Sequence, residues 1–357
     1  MENQGFIQEI READLAVCEN ADTFLQSAMW GEFKSCFGWE SKAFLINWKG
    51  LETVPLLAIS RVLVFGFSFV YIPWGPQMPP DFPQEEKPGA LIELAVKLKT
   101  FYKKKHVFIR FEPPWYREGG ETYSANDAAL YLSAGFKKSG ASIQPPDTVI
   151  VTLTDPSEKI LKAMKIKWRY NISLAQKKSV IVKICGTEEI ETFYKLLKKT
   201  AVRDSILVHN FDYYKTLFAK CSKYGITLRL YTASHEEETI AAIVVLFYGK
   251  YATYLYGASS GNKRNLMPSY ALQWKAMQDA KEAGCKYYDL FGIPPDSDPN
   301  HPMAGLYLFK TGFGGQIIHR PGSWDYPYKQ FVYKLFNTAE SLRKKLRNRG
   351  KRHIRVV

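Results

Sequence analysis

The chain has no C-x-x-C pair; its five cysteines stand scattered at 18, 36, 185, 221 and 285. An odd, unclustered set argues against a disulfide framework and a structural zinc site, and reads as reduced thiols in a cytoplasmic protein. No run of ~18 or more apolar residues exists, so no transmembrane helix is expected, and the opening Met-Glu-Asn-Gln-Gly-Phe lacks the layout of a secretion signal. The six histidines (106, 209, 235, 301, 319, 353) show no H-x-x-x-H spacing, and no metal is expected. G-x-x-x-x-G-K-[ST], G-x-G-x-x-G and G-x-S-x-G are all missing, which removes P-loop, dinucleotide and serine-hydrolase readings. A pyrophosphate-binding [RQ]-x-x-G-x-[GA] segment is missing too. No cofactor is expected, and a mechanism without a covalent enzyme intermediate is favoured.

What is present is basic and aromatic. The 357 residues carry a net charge of +14 and are 15% aromatic. Residues 343–355 hold eight Lys/Arg and no acid, and so do residues 159–183. Two such segments call for a polyanionic partner or an anionic surface. The length accommodates two domains, and the proline-rich Gln144-Pro-Pro-Asp-Thr148 marks a boundary between residues 1–148 and 149–321.

Hydrophobic periodicity predicts a helix over Thr23–Lys34, strands at Lys42–Trp48 and Leu56–Phe69, and a helix from Pro88 to Lys104 feeding the strand Val107–Phe111. A shorter helix over Ser124–Ala134 follows. In the second part, Asp155-Pro156 reads as N-cap and N1 of one amphipathic helix carrying Ile160, Met164, Trp168, Ile172 and Ala175 inward. Strands are predicted at Val149–Leu153, Val180–Ile184, Thr227–Tyr231, Ile240–Tyr248, Tyr251–Gly257 and Lys286–Phe291, with helices at Glu188–Thr200, Asp212–Tyr224, Pro268–Ala283 and Phe331–Leu346. The segments 105–114 and 286–295 echo each other, each a short strand running into Pro-Pro, as a duplicated α/β unit would.

Several clusters carry chemistry. Leu306-Tyr-Leu-Phe-Lys310-Thr-Gly-Phe-Gly-Gly-Gln316 reads as a strand ending in a glycine-rich turn, with Lys310 either solvated at its tip or held in a desolvated place. A desolvated ammonium stabilises developing negative charge. Trp30-Gly-Glu-Phe-Lys34 sets a lysine one helical turn from a tryptophan. Lys167-Trp-Arg-Tyr-Asn171 interleaves cations with aromatics, as phosphate-binding surfaces do. Tyr254 and Tyr256 fall on one strand face at period two.

Taken together and in order, Phe24–Lys34, Ile166–Lys178, Tyr254–Ser260, Pro268–Ala280, Tyr288–Ile293 and Leu306–Gly315 resemble the FemABX family of non-ribosomal peptidyltransferases. The resemblance implies an α/β (α+β) fold of two tandem acetyltransferase-like (GNAT-like) domains; nothing between Val149 and Pro321 is long and heptad-patterned, so no coiled-coil arm is expected. The first domain would be completed by the C-terminal segment 322–357. It implies transfer of an amino acid from aminoacyl-tRNA to the stem-peptide side-chain amine of a peptidoglycan precursor, lipid II or UDP-MurNAc-pentapeptide. By the same resemblance Lys310 and Phe309 sit at the reaction centre, Lys34 contacts the precursor's phosphates, Tyr213, Tyr254 and Tyr256 line its channel, and Glu112 lies close to the acceptor. His209 stands where a phosphate-binding arginine is expected, so that either His209 or another base such as His319 or Arg320 fills the role. Lys167, Arg169, Lys177 and Lys178 would face tRNA, and the basic tail would meet tRNA or an anionic membrane. An acyl-CoA-dependent N-acyltransferase on the same fold and a non-catalytic RNA- or membrane-binding protein stay open as alternatives.

Overall fold

The protein is seen in a computed structural model that describes residues 5–49, 53–63, 66–79, 82–102, 106–116 and 125–340. The basic tail 343–355 lies outside them. The first half runs β1 (Ile7–Ala13), α1 (Ala28–Ser35), β2 (Trp39–Trp48), β3 (Thr53–Val62), β4 (Ser68–Ile72), α2 (Lys87–Lys99), β5 (His106–Phe111), α3 (Ala125–Ser133) and β6 (Lys137–Lys138). The second runs β7 (Asp147–Thr152), α4 (Ser157–Ala163), α5 (Ile166–Lys177), β8 (Ile181–Cys185), α6 (Ile190–Asp204), α7 (Phe211–Lys223), β9 (Thr227–His235), β10 (Glu238–Tyr248), β11 (Tyr251–Ser259), α8 (Pro268–Glu282), β12 (Tyr287–Asp289), α9 (Ala304–Thr311) and β13 (Gln316–His319). β14 (Trp324–Pro327) and α10 (residues 330–340) follow.

The strands form two seven-stranded sheets of the same plan. The first has the order β1-β2-β3-β4-β5-β14-β6; the second, from its far edge, β8-β9-β10-β11-β12-β7-β13. In each the fourth and fifth strands are parallel, joined by a crossover helix (α2, α8), and every other neighbour is antiparallel. The sixth position is filled reciprocally. β7, which follows β6 in the chain, pairs in the second sheet with β12 and β13, while β14, which follows β13, pairs in the first with β5 and β6.

Three apolar bodies hold this arrangement. Leu91, Leu94 and Leu98 of α2 cover one face of the first sheet, and Leu272, Ala276 and Met277 of α8 cover one face of the second. Between the halves, Met29, Trp30 and Phe33 of α1 meet Tyr213, Tyr214 and Leu217 of α7 in a single core shared by both sheets. At ~1.5–3 kcal/mol for each large apolar side chain removed from water, this shared core holds the two halves together. Across it Glu32 of α1 pairs with Lys220 and Lys223 of α7 at 2.9 and 2.7 Å.

Five expectations change. The helix expected over Thr23–Lys34 is a 3-10 turn (Phe24–Gln26) and then α1, because Ser27 leaves the helix to cap it, accepting from the Trp30 amide at 3.2 Å. Leu56–Phe69 divides into β3 and β4. The long helix from Asp155 breaks at Met164-Lys165 into α4 and α5, and the Lys165 amide instead donates to the Gly312 carbonyl at 2.9 Å. Asp155 caps nothing there and pairs with Lys159 at 2.9 Å. Residues 304–311 are helical, not extended: Phe309 and Phe313 fall one turn apart and pack edge to face at 5.1 Å. This tertiary packing overrides the strand propensity of Leu-Tyr-Leu-Phe. Finally, Tyr254 and Tyr256 do not share a face. The β10–β11 register shifts so that Val245 opposes Tyr254 and Val244 opposes Tyr256, leaving Leu255 as an extra residue and turning the two rings to opposite sides of the sheet.

Candidate active site at the junction of the two sheets

α9 delivers Lys310 inward. Its side chain is buried, and its Nζ donates to the carbonyls of Phe291 and Gly292 at 3.0 and 2.9 Å. The Tyr254 ring lies 5.2 Å beneath it. Burial pulls the ammonium down to about 7, against a smaller opposing pull from Asp289. An ammonium has three N–H donors; two are engaged here, and among the described residues nothing takes the third.

The carbonyls that hold Lys310 belong to the segment following β12, where Phe291 adopts a left-handed backbone (φ 57°). Facing it at 5.9 Å is Trp74, also left-handed at φ 41°. Bulky residues rarely occupy this region, and such strain persists where the surroundings over-determine it. Here Gln26 does so: its amide bonds Pro73 and both backbone groups of Leu57. Phe24, Trp74 and Phe291 form a wall with a hollow on each side. Lys310 is bonded to the backbone of the wall residue Phe291 and of Gly292 and lines neither hollow.

The larger hollow, ≈ 980 Å³, runs between the sheets and brings together Lys34, His209, Tyr213 and Tyr256. Lys34 stands in an aromatic cage, its Nζ 5.5, 5.3 and 5.8 Å from the rings of Trp30, Trp39 and Tyr213. Burial, and then the charge of Arg61, lower it to about 8. Among the described residues no carboxylate pairs with Lys34 or Arg61, and Glu340 is the single acid in the cleft's lining. His209 stacks on Tyr213 at 3.7 Å, and burial together with the nearby Lys34 charge holds its pKa below the usual imidazole range. A neutral imidazole adds no charge there; Arg61, which no sequence pattern singled out, does. Arg110 reaches the same cleft, but its guanidinium is committed to Asp325 at 2.7 and 2.8 Å.

Other expected residues fall elsewhere. His319 is buried against Asp147 at 2.7 Å, and Arg320 lines the smaller hollow on the far side of the wall. Glu112 is buried and receives Tyr71, Ser323 and the amides of Ile143 and Gln144. It thus ties β5 to the segment between the halves and lines neither hollow. Tyr254, on the opposite face from Tyr256, belongs to Lys310 and not to the cleft. Lys167 and Lys177 on α5 and Lys178 just after it are exposed, whereas Arg169 donates to the Lys162 and Met164 carbonyls at 2.8 and 3.0 Å and bridges the break before α5.

α5 is also fastened to α9. Trp168 donates to the Phe309 carbonyl at 2.9 Å, and its ring occupies the space a Cβ on Gly312 would need, 2.2–2.7 Å from the ideal position. Gly312→Ala therefore expels Trp168 from its seat. The expected cost is ~1–3 kcal/mol of stability, with a loss of activity beyond that seen for Gly305→Ala, where a Cβ meets open space; thermal unfolding and transfer assays of the two variants check it.

The FemAB family model matches residues 16–230 and 222–341. A lipid II:glycine glycyltransferase of Staphylococcus aureus (strain MRSA252) is 22% identical, over 95% of this chain and 96% of its own length, and its counterpart from strain USA300 matches equally. Among solved structures, FemX superposes with a TM-score of 0.76 at 21% identity, covering 92% of this chain and 99% of that one. A tandem GNAT protein from the clavulanic acid pathway gives 0.50 at 12% identity over 89% and 98%. The two sheets are two GNAT-like halves, and the chain belongs to the FemAB family.

Proposed function

We propose that the protein is an aminoacyltransferase that moves an amino acid from aminoacyl-tRNA to the stem-peptide side-chain amine of a peptidoglycan precursor. The observation that carries this reading is Lys310: a buried ammonium with two N–H groups fixed on carbonyls and one unassigned, held by the backbone of Phe291, a strained aromatic residue that lines the cleft of Lys34 and Arg61. The kinship with lipid II:glycine glycyltransferases supports the reaction class.

A tRNA ester is already activated, so the protein has to align an amine with the ester carbonyl and hold the oxyanion. The amine nitrogen attacks the carbonyl carbon, and the third N–H of Lys310 receives the oxyanion. The tetrahedral adduct then collapses: the bond to the ribose oxygen breaks, the amide forms, and the proton lost by the amine passes to that oxygen. Trp74 and Phe291 are the elements that give way to admit the ester. Lys34 and Arg61 take the precursor's phosphates. The exposed Lys167, Lys177 and Lys178, on and at the end of the helix that buttresses α9, receive the tRNA backbone, an interaction that weakens steeply with salt.

The test is incubation with a mixture of charged tRNAs and either lipid II or UDP-MurNAc-pentapeptide, with mass spectrometry of the precursor. A mass increment of one aminoacyl group on the side-chain amine is expected, and it is lost if the tRNA is deacylated. Transfer from acyl-CoA in its place, with none from tRNA, contradicts the proposal.

A further inference from the structure

The smaller hollow, ≈ 560 Å³, has a chemistry unlike the cleft. Its one guanidinium is Arg320, laid over the Trp74 ring at 4.1 Å. The Nε and Nη1 groups are covered and have no hydrogen-bond partner. The neighbouring carboxylates are spoken for: Asp147 is bonded to His319, and Asp289 to the Thr148 hydroxyl and the Phe291 amide. Burial lowers the pKa of the guanidinium despite these acids, so the pocket leaves the charge under-compensated. Buried donors left unpaired are costly, and a site that carries them discriminates strongly for a ligand that satisfies them. The remaining walls include Phe24, Met78 and Trp115.

We propose that this hollow is a carboxylate subsite in which Arg320 receives the C-terminal carboxylate of the acceptor's stem peptide, a role that rests on the transfer reading above. The planar fork of a guanidinium stacked on an indole matches the two oxygens of a carboxylate. Besides Arg320 the lining holds Lys87, over the Trp115 ring at 4.7 Å, and the acids Asp22 and Asp289; with two acids facing two cations, one negative charge suits the pocket better than a phosphate dianion. The phosphate-bearing end of the precursor has its own unpaired cations, Lys34 and Arg61, beyond the shared wall residue Phe24. Asp289 acts electrostatically on both Lys310 and Arg320, so the subsite adjoins the reaction centre. A precursor anchored by its stem-peptide terminus here and by its phosphates in the cleft is stretched across the wall whose Phe291 carbonyl holds Lys310.

The experiment is titration calorimetry with the free pentapeptide of the acceptor and with its C-terminal carboxamide, on wild type, Arg320→Gln and Arg320→Lys. Wild type is expected to bind the carboxylate form about 10- to 100-fold more tightly than the amide. Arg320→Gln is expected to bring the two to the same affinity while leaving the amide unchanged, and Arg320→Lys to recover only part of the difference. Equal binding of both peptides by wild type overturns the subsite, as does an equal weakening of both by Arg320→Gln. The wild-type comparison stands whether or not either variant folds. Free alanine displacing the peptide as effectively as the carboxylate form would assign the pocket to a free amino acid and overturn the acceptor terminus. The readout is binding, so a chain that discriminates the peptides but transfers nothing contradicts the transfer reading alone. One that transfers without discriminating contradicts the subsite alone.

Discussion

Asp325→Ala lowers the free energy of unfolding by about 3–5 kcal/mol, the range for leaving a buried charge without its partner. Asp325 is fully buried on β14, the strand that the C-terminal part of the chain contributes to the first sheet. Its two oxygens grip the Arg110 guanidinium at 2.7 and 2.8 Å, and the Tyr333 hydroxyl donates to it at 2.8 Å. Arg110 is itself largely buried against the Phe69 and Phe108 rings at the edge of the cleft, so without the carboxylate its charge loses its partner in a poorly solvated place. Replacing both partners by apolar residues, Arg110→Met with Asp325→Leu, removes the orphaned charge and is expected to recover most of the loss. Urea unfolding of the two singles and the double checks this. A loss under 1 kcal/mol for Asp325→Ala would mean that the pair is solvated and that β14 is held by its backbone ladder alone.

Lys310→Met lowers kcat for transfer by about 10²–10³, the scale for removing one donor to an oxyanion, while KM for the precursor stays within a few-fold. The split follows from position: Lys310 lines neither hollow, so it contributes to the transition state and not to ground-state binding. A rise in KM with kcat unchanged would move Lys310 from chemistry to binding. The same variant has a signature in stability. Burial holds the folded Lys310 at about 7, below the unfolded value of 10.5. Below about pH 7 both states are protonated and the full penalty of burying the ammonium is present. Between pH 7 and 10.5 the unfolded chain binds more protons than the folded one, so the penalty is relieved as pH rises. The stability of wild type relative to Lys310→Met is therefore flat below pH 7 and climbs above it by up to ~1.4 kcal/mol per pH unit. Unfolding at pH 6, 8 and 9.5 reads the slope; a flat difference throughout would mean that Lys310 is solvated.

The α/β class, the two repeated halves and the family were legible in the sequence because they rest on long periodic segments and on ordered clusters such as Phe24–Lys34 and Tyr288–Ile293. What escaped was set by contacts distant in the chain. Nothing local in Leu306–Lys310 distinguishes helix from strand; its packing against Tyr270 and Trp168 decides. Period-two counting put Tyr254 and Tyr256 together, but a bulge adds one residue and reverses the face. Arg61 carried no motif, and its place in the cleft depends on how β3 lies beside α1. No local pattern around Glu112 showed that the Tyr71 and Ser323 hydroxyls close around it, a partnership joining residues 41 and 211 positions away. The strained φ angles of Trp74 and Phe291 have no sequence signature at all: each lies beside a glycine that would have adopted them more readily.

Photo-crosslinking tests the central claim most directly. A precursor carrying a photoreactive group on its stem-peptide side-chain amine is irradiated with the protein, and the labelled peptides are sequenced. The account predicts label on 289–293 and 306–313, the two segments that meet at the Lys310 ammonium, and protection of both by unmodified precursor. Protectable label confined to another part of the surface would contradict it.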